Sequence, residues 1–313
     1  MLIYVDMELS EKEKDVLRFE MQVNFRLYFQ DELKSDNERL EILRTADIIL
    51  GNPNAEWLVQ ATNLKWLQLH SAGFEKYQGV PISAVTTNMQ DYYSQPCAET
   101  MIAGIMALCR KMHEFALLKS NKQWVGSSIR NQLDLLYKKK IIILGTGNIG
   151  RRIAKILSGF DAQILFYGRT AADAVIRSKE EFLSRIPWAD IVIACLPGTP
   201  ETRGFFTNEM IYKMQPHALF CNVGRGNLLE DENVLIEALM MHQIGGAVLD
   251  VTAVEPIPPE SRLWVCPNTI LSQHSGGGQK GEFEGIVALF LENLQHFING
   301  QPLKNRITFA KGY

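Results

Sequence analysis

A glycine-rich turn near the middle of the chain restricts the fold more than any other feature of the sequence. The apolar segment Ile141–Leu144 is followed directly by Gly145-Thr146-Gly147-Asn148-Ile149-Gly150, and residues 151–157 then carry apolar side chains at helical spacing. In this context the first glycine permits a tight turn, the second lets the main chain approach a phosphate, and the third lets the helix pack closely on the strand. The segment therefore predicts a pyrophosphate-binding turn at a helix N-terminus.

Four further apolar segments follow that turn, at intervals that leave room for helices between them. They are Ala162–Tyr167, Ile191–Leu196, Ala218–Val223 and Gly246–Asp250. Strands that are apolar on both faces and alternate with helices form parallel, doubly wound sheets. We therefore predict an α/β fold with a Rossmann-like dinucleotide-binding domain over residues 95–274.

The two ends of the chain predict a second domain. Before Gln95-Pro96, short apolar runs alternate with amphipathic stretches, which is typical of a small flavodoxin-like α/β domain with its own parallel sheet. A long apolar helix is then predicted up to Met112, and Ser275–Gly278 is a hinge candidate before an amphipathic helix at Phe283–Phe297. We assign residues 1–94 and 275–313 to a substrate-binding domain and expect the active site in a cleft between the domains.

Charge and cysteine content exclude several classes of protein. A net charge of -3 gives no sign of the basic face that nucleic-acid binders carry. The five cysteines show no CxxC pair and no zinc-like spacing, so we predict reduced core thiols and no metal site. No basic start precedes an apolar run, and no stretch reaches the ~18 apolar residues of a membrane span, so we expect a cytoplasmic protein without a membrane partner.

The end of the second strand of the Rossmann-like domain indicates the cofactor. An acidic residue at this position accepts a hydrogen bond from the ribose 2′-hydroxyl of NAD, but here the strand ends in Tyr167-Gly168-Arg169-Thr170. The Arg169 guanidinium is suited to a 2′-phosphate. We therefore predict NADP(H), with NAD(H) as the alternative and a solvated surface arginine as the non-functional interpretation of Arg169.

Three later segments place polar residues just beyond the carboxyl ends of predicted strands, where ligands bind in open α/β sheets. They are Asn222–Gly226, Leu249–Pro256 and Ser272–Gly276. At this point the chain resembles the D-isomer-specific 2-hydroxyacid dehydrogenases, which include glyoxylate/hydroxypyruvate reductases. Further matching segments are Leu67–Gly73, Ala98-Glu99, Trp124, Leu196–Thr202 and Leu263–Asn268.

The resemblance implies reduction of a small 2-oxo acid by hydride transfer. Arg225 is similar to the family arginine that pairs with the substrate carboxylate and polarises the ketone, for which a bidentate guanidinium is well suited. His274 resembles the general acid, and Glu255 resembles the carboxylate that orients the imidazole and favours its protonated form. The turn Ser71-Ala72-Gly73 resembles the main-chain cradle for the substrate carboxylate. His70, His113, His217, His242 and His296 have no such setting and are interpreted as structural or surface residues.

Asp250 resembles the residue that orients the nicotinamide carboxamide. Together with Asp250, the predicted cofactor-binding residues are Gly145, Thr146, Gly147, Asn148, Ile149, Gly150, Arg169, Thr170, Leu196, Pro197, Thr202, Val223 and Gly224. The apolar helix that begins at Pro96 also suggests a homodimer, by analogy with the family. Two departures from the family pattern affect the shape of the site: Asp91-Tyr92-Tyr93 stands where many relatives have a glycine, and Ser272-Gln273 replaces Thr-Pro before the histidine.

Two alternatives remain open from the sequence. A dinucleotide-sensing regulatory protein, without significant turnover, would have the same glycine turn, but it need not keep Arg225, Glu255 and His274. An NAD-linked dehydrogenase that works toward oxidation would have the same residues. Each of the three residues also has an ordinary structural interpretation, as a loop charge, a turn residue or a structural histidine.

Overall fold

The described part of the chain is built on two six-stranded sheets. In the computed structural model residues 1–21 and 25–309 are described; residues 22–24 and 310–313, which belong to the predicted substrate-binding domain, lie outside the described residues. The strands are β1 (Leu2–Asp6), β2 (Arg26–Phe29), β3 (Ile48–Gly51), β4 (Trp66–Gln68), β5 (Val85–Thr87), β6 (Lys140–Leu144), β7 (Gln163–Tyr167), β8 (Ile191–Ala194), β9 (Leu219–Asn222), β10 (Gly246–Leu249), β11 (Thr269–Leu271) and β12 (Arg306–Ile307). The α-helices are α1 (Glu11–Glu20), α2 (Asp36–Thr45), α3 (Ala55–Leu58), α4 (Ser94–Cys109), α5 (Met112–Ser120), α6 (Asn148–Leu157), α7 (Lys179–Arg185), α8 (Asn208–Tyr212), α9 (Glu232–Met240) and α10 (Glu282–Ile298).

The chain divides into two compact units. The first unit comprises Met1–Tyr92 and the chain from Gln279 onward, and the second comprises Tyr93–Gly278. Both are α/β units with sheets that are parallel apart from β12, so the predicted fold class is confirmed.

The sheet of the first unit has the order β12-β5-β4-β3-β1-β2, with β12 antiparallel to β5. Its five parallel strands follow the flavodoxin-like order. Helix α10 packs on this sheet through Phe290, which stacks on Trp66 at a ring-centroid distance of 5.0 Å. The fully buried Asn293 donates to Gln68 Oε1 at 3.1 Å and accepts the N–H of Lys304 at 2.7 Å. These contacts join the late segment of the chain to the sheet of the early one.

The second unit has an all-parallel sheet in the order β11-β10-β9-β8-β6-β7. Strands β6 and β8 are neighbours in the sheet. Strand β7 is added next to β6 toward one edge, and β9 next to β8 toward the other. The carboxyl ends of β6 and β8 are therefore the switch point where ligands bind in such folds. The strand segments are nearly free of exposed side chains; residues 141–144 and 191–194 are buried throughout. This apolar content explains why the sequence pattern revealed the sheet.

The long helix predicted to run from Pro96 to Met112 is divided into two. Helix α4 ends at Cys109, and α5 begins at Met112 after Lys111, whose φ of 54° lies in the left-handed region. The apolar side chains of α4 are buried against α6 and the sheet within the same unit, including Met101 and Ile105. The apolar excess that suggested a subunit interface on this helix therefore belongs to the core of the unit.

Within residues 1–21 and 25–309, no helix combines the length and the apolarity that crossing a membrane requires.

Candidate active site

The glycine-rich turn has the shape that a bound pyrophosphate requires. Gly145 has a φ of 112°, which disfavours any residue with a side chain. Gly147 precedes α6, and a β-carbon built on it would meet no atom within 4 Å. A β-carbon on Gly150 would lie 2.4 Å from the Gly145 carbonyl oxygen, so helix and turn pack as closely as the motif predicts. Main-chain N–H groups at the start of α6 are therefore accessible to a phosphate, and the turn fits a dinucleotide.

The loops after β8 and β9 pack directly against that turn. A β-carbon on Gly145 would lie 3.1 Å from the Cys195 carbonyl oxygen, and one on Gly224 would lie 2.4 Å from the Leu196 carbonyl oxygen. The structure thus brings together the predicted cofactor-binding residues of three loops. Thr202 lies further along the β8 loop, where its hydroxyl donates to the Pro197 carbonyl at 2.5 Å and accepts the N–H of Thr199 at 2.9 Å. Its observed contacts shape the loop.

The loop that carries Arg225 is held by the end of β9. The Asn222 side chain accepts the N–H of Gly224 at 3.0 Å and donates to the Arg225 carbonyl oxygen at 3.0 Å. Asn222 is buried, with 1% of its surface exposed. The Arg225 guanidinium itself donates through Nη1 to the Gly224 carbonyl at 2.7 Å and is partly exposed. The loop therefore presents a cation at the carboxyl edge of the sheet.

His274 and Glu255 form a hydrogen-bonded pair. His274 Nδ1 lies 2.6 Å from Glu255 Oε2, although the residues are 19 positions apart in the chain. The two side chains are 51% and 35% exposed, respectively, so the pair lies at the surface of its unit. A carboxylate at Nδ1 sets the orientation of the ring and leaves Nε2 as the atom that can exchange a proton with a ligand.

Thr252 connects this pair to the Arg225 loop. Its N–H donates to Glu255 Oε1 at 2.9 Å, so both oxygens of Glu255 are engaged. On the other side, a β-carbon on Gly226 would lie 1.8 Å from the Thr252 carbonyl oxygen. Thr252 is not among the site residues that the sequence predicts. The two contacts just described use its main-chain atoms, which leave no mark in a residue pattern.

Asp250 lies beside the same loops but is buried, with 4% of its surface exposed. Its Oδ1 accepts the Ser272 hydroxyl at 2.7 Å and the Gly276 N–H at 2.9 Å, and its carbonyl accepts the N–H of His274 at 2.6 Å. Ser272, one of the departures from the family pattern, therefore helps to hold Asp250. In the sequence, the sign of this contact is that a polar residue, Ser272, directly follows β11.

A cavity of about 420 Å³ opens at this edge of the second unit. Asp250, Thr252, Glu255 and His274 line one part of it, and Ile257, Trp264 and Leu271 line another. Polar groups that converge beside an apolar wall are typical of a small-molecule site.

The predicted substrate turn Ser71-Ala72-Gly73 belongs to the first unit and follows β4. The Ser71 hydroxyl donates to the Gly73 carbonyl at 2.6 Å, and Asn88 Nδ2 donates to the Ala72 carbonyl at 2.6 Å. Both contacts occupy carbonyl oxygens of the turn, which leaves its shape well defined.

The loop after β7 holds Arg169 and Thr170, and both are exposed. Arg177 donates from Nη1 to the Arg169 carbonyl at 3.3 Å and from Nη2 to the Ala171 carbonyl at 3.0 Å. Arg151, directly after the glycine turn, makes a bidentate ion pair with Asp173 and donates to the Thr146 carbonyl at 2.9 Å. The Arg169 loop is thereby tied to the glycine turn.

The other histidines have local structural contacts. Burial and the positive charge of Lys76 lower the pKa of His70 to about 4, so this ring is neutral at physiological pH. His217 Nε2 lies 2.8 Å from Asp190 Oδ1, and His296 Nδ1 lies 3.0 Å from the Pro302 carbonyl. His113 Nδ1 is 3.3 Å from the Ala107 carbonyl, and His242 occupies a turn with a φ of 52°.

The five cysteines are free thiols. Burial raises the pKa of the Cys195 thiol far above its ordinary value and that of Cys97 to about 11, so neither is poised as a nucleophile. Within residues 1–21 and 25–309, no group of three or more His, Cys, Asp or Glu side chains is arranged to hold a metal ion.

Comparison with known proteins places the chain in a family. Residues 102–276 match the model of the D-isomer specific 2-hydroxyacid dehydrogenase NAD-binding domain. A protein of Corynebacterium melassecola, described only as an uncharacterized protein in the proB 3′ region, is 30% identical over 291 residues, which is 88% of this chain and 93% of that protein. Glyoxylate/hydroxypyruvate reductase B of Erwinia tasmaniensis is 28% identical over 85% of this chain and 86% of its own length.

A solved structure supports the same assignment. The crystal structure of a D-isomer specific 2-hydroxyacid dehydrogenase family protein from Aeromonas salmonicida superimposes with a TM-score of 0.83 at 25% identity, over 98% of this chain and 99% of that one. The matched domain is the one that holds the glycine turn, which fits a nicotinamide dinucleotide on the geometry described above. The chain belongs to the D-isomer-specific 2-hydroxyacid dehydrogenase family and is an NAD(P)-dependent oxidoreductase.

Proposed function

We propose that this protein reduces a small 2-oxo acid of the glyoxylate or hydroxypyruvate type to the D-2-hydroxy acid. The observation that carries the proposal is the 2.6 Å contact between His274 and Glu255 at the sheet edge where the Arg225 loop also ends. A guanidinium and an imidazole–carboxylate pair are what the reduction of a keto acid needs besides a hydride. The name of the Erwinia relative favours the same substrate class.

In this proposal each side chain has one task. Arg225 binds the substrate carboxylate and polarises the ketone, and His274 donates a proton from Nε2 to the developing alkoxide. Glu255 keeps the imidazole oriented and compensates its charge. The bound nicotinamide supplies the hydride. Asp250, fixed by Ser272 and Gly276, is proposed to orient the carboxamide.

The first unit is proposed to hold the substrate. The turn Ser71-Ala72-Gly73 lies after β4, at the carboxyl edge of a parallel sheet, where open α/β sheets bind ligands. With its carbonyl oxygens bonded inside the unit, such a turn offers main-chain N–H groups to a carboxylate.

NADPH is the proposed hydride donor. The end of β7 carries Arg169 where an NAD-binding strand carries a carboxylate, and Arg169 is exposed. The contacts from Arg177 to the Arg169 and Ala171 carbonyls hold the loop in one conformation and add a second positive charge beside it. Both features favour a 2′-phosphate over a 2′-hydroxyl.

A homodimer is also proposed, with its interface on α5 and the segment after it. Trp124 is 96% exposed there, and Leu117 and Met112 are also largely exposed. Trp124 lies beside a cavity of about 420 Å³ that Phe115 and Leu118 also line. A contiguous apolar surface of this kind is typical of an interface. Light scattering during gel filtration tests the assembly, and a monomer at micromolar concentration would refute it.

A substrate panel tests the proposed reaction. Glyoxylate, hydroxypyruvate, pyruvate and bulkier 2-oxo acids are each supplied with NADPH and with NADH, and the loss of absorbance at the nicotinamide wavelength is followed. Turnover of the small acids, with higher kcat/KM for NADPH, is expected. Tight dinucleotide binding without turnover of any acid would refute the proposal and favour a sensor.

A further inference from the structure

Glu232, the first residue of α9, contacts the loop that carries Glu255. Its Oε1 accepts the N–H of Ala253 at 2.8 Å. The preceding N–H, that of Thr252, donates to Glu255 Oε1 at 2.9 Å. Two consecutive N–H groups of one loop are therefore bound by two different carboxylates, one from a helix and one from the loop itself.

This loop connects the Arg225 loop to the His274–Glu255 pair. Its Thr252 carbonyl contacts Gly226, which follows Arg225, and its last residue, Glu255, is hydrogen-bonded to His274. The Thr252 hydroxyl also donates to the Val254 carbonyl at 2.9 Å, which tightens the turn. Glu232 binds Ala253 from outside the loop and so ties the loop to α9. Loss of that bond would let the loop move relative to both functional groups.

The two carboxylates also affect each other electrostatically. Burial raises the pKa of Glu232, the Ala253 N–H lowers it, and the negative charges of Glu255 and Asp231 raise it again. Asp231, just before the helix, and Glu255, in the loop, are the two negative charges that act on Glu232. His274 contacts Glu255, and Asp250 lines the same cavity as these two residues. The Ala253 N–H is therefore the contact that favours the charged form of the half-buried Glu232 carboxylate.

We propose that Glu232 is a positioning residue of this site, which holds the 252–255 loop in register and so keeps Glu255 in place relative to the Arg225 loop. The proposal rests on the proposed function for its kinetic consequence, but its effect on the loop does not require turnover.

The test compares three variants of the full-length protein. Glu232→Ala removes both the acceptor and the charge, and kcat for reduction is expected to fall roughly tenfold with unchanged dinucleotide affinity, because the acid and the guanidinium lose their mutual placement. Glu232→Gln keeps an oxygen for Ala253 but removes the charge. Its kcat should stay near the wild-type value, because the acceptor for the Ala253 N–H is kept. Glu237→Gln, on the exposed face of the same helix, is the matched control and should change neither quantity.

An NMR measurement of main-chain amide exchange separates this inference from the reaction itself. The Ala253 N–H should exchange with solvent faster in Glu232→Ala than in the wild type, Glu232→Gln and Glu237→Gln, whether or not any acid is turned over. If Glu232→Ala does not fold, Glu232→Asp, whose shorter side chain withdraws the acceptor, takes its place. Unchanged exchange and unchanged kcat in these variants would overturn the inference. Absence of turnover in the wild type, with faster exchange in the variant, would instead count against the proposed function alone.

Discussion

The α-carbon of Gly226 faces the carbonyl group of Thr252 so closely that a β-carbon would lie 1.8 Å from its oxygen and 2.0 Å from its carbon. Real β-carbons do not approach main-chain atoms at such distances, so one of the two loops must move if any side chain is introduced. Gly226 follows Arg225, and Thr252 binds Glu255. Close main-chain packing of the Gly226 loop on the Thr252 loop thus sets the position of the guanidinium relative to the imidazole–carboxylate pair.

Gly226→Ala should therefore lower kcat/KM by about two orders of magnitude, because displacements near 1 Å in a reacting arrangement have effects of that size. The melting temperature should fall as well. Gly159→Ala is the control, since a β-carbon at Gly159 meets no atom within 4 Å. Steady-state kinetics and thermal unfolding of both variants measure the effect, and wild-type kinetics for Gly226→Ala would show that the two loops are not coupled.

His274→Ala and Arg225→Lys should each cut kcat by about 10²–10⁴-fold, while dinucleotide affinity persists. The first change removes the proton donor. The second keeps the charge but loses the planar bidentate fork that matches a carboxylate. The dissociation constant for NADPH is measured by fluorescence titration alongside kcat. Turnover near the wild-type rate in either variant would refute the role assigned to that residue.

Arg169→Ala should reduce the preference for NADPH over NADH by about 10- to 100-fold, the value of ~1.5–3 kcal/mol for a charge-assisted contact. The loss should fall on the dissociation constant of NADPH and leave that of NADH nearly unchanged. Arg185→Ala, at the exposed end of α7, removes the same charge from the unit and serves as the control. Equal losses for both dinucleotides would mean that Arg169 is an ordinary surface arginine.

Gln273 and His274 are consecutive residues in the left-handed region, with φ of 56° and 53°. Gln273→Gly should stabilise the protein by about 1 kcal/mol, because glycine has no steric penalty there. Gln273→Pro should lower activity strongly, since proline requires φ near −65° and would displace the neighbouring imidazole. Urea unfolding and kcat measure the two effects. A fully active proline variant would show that the His274 position does not depend on this backbone conformation.

The partly buried His70 predicts an acid sensitivity of stability. Its folded pKa of about 4 lies below the ordinary value near 6.5, so protonation favours the unfolded chain. The contribution of the neutral ring is complete above pH 6.5 and is lost as pH falls toward 4. Between pH 7 and pH 5 the wild type should lose about 2 kcal/mol more free energy of unfolding than His70→Leu. Equal losses in urea titrations at the two pH values would show that His70 remains accessible to protons when folded.

Much of the second unit could be predicted because its local sequence requirements are strong. The strand Ile141–Leu144 and the glycine turn have few alternatives, and the structure places them as expected. Glu255 and His274 could be singled out because the segments that hold them follow predicted strands and resemble the corresponding segments of the family. Their roles, with that of Arg225, stay predictions until kinetics are measured.

Other features had no sequence signal. The break between α4 and α5 depends on Lys111 adopting a positive φ, which its residue type does not favour. Thr252 acts through its main-chain N–H and carbonyl groups, and Glu232 contacts a residue 21 positions away across a loop. Such contacts depend on the path of the backbone, which residue identity does not specify.

The crowding around Gly168 limits where an acidic side chain can be introduced at the end of β7. A β-carbon there would lie 2.9 Å from Thr146 Cγ2 and 3.3 Å from the Ala174 β-carbon. Placing an aspartate at this position, to create a partner for a ribose hydroxyl, would push on the very turn that receives the pyrophosphate. A carboxylate meant for a ribose hydroxyl is therefore more easily accommodated at residue 169, whose side chain is exposed, than at residue 168.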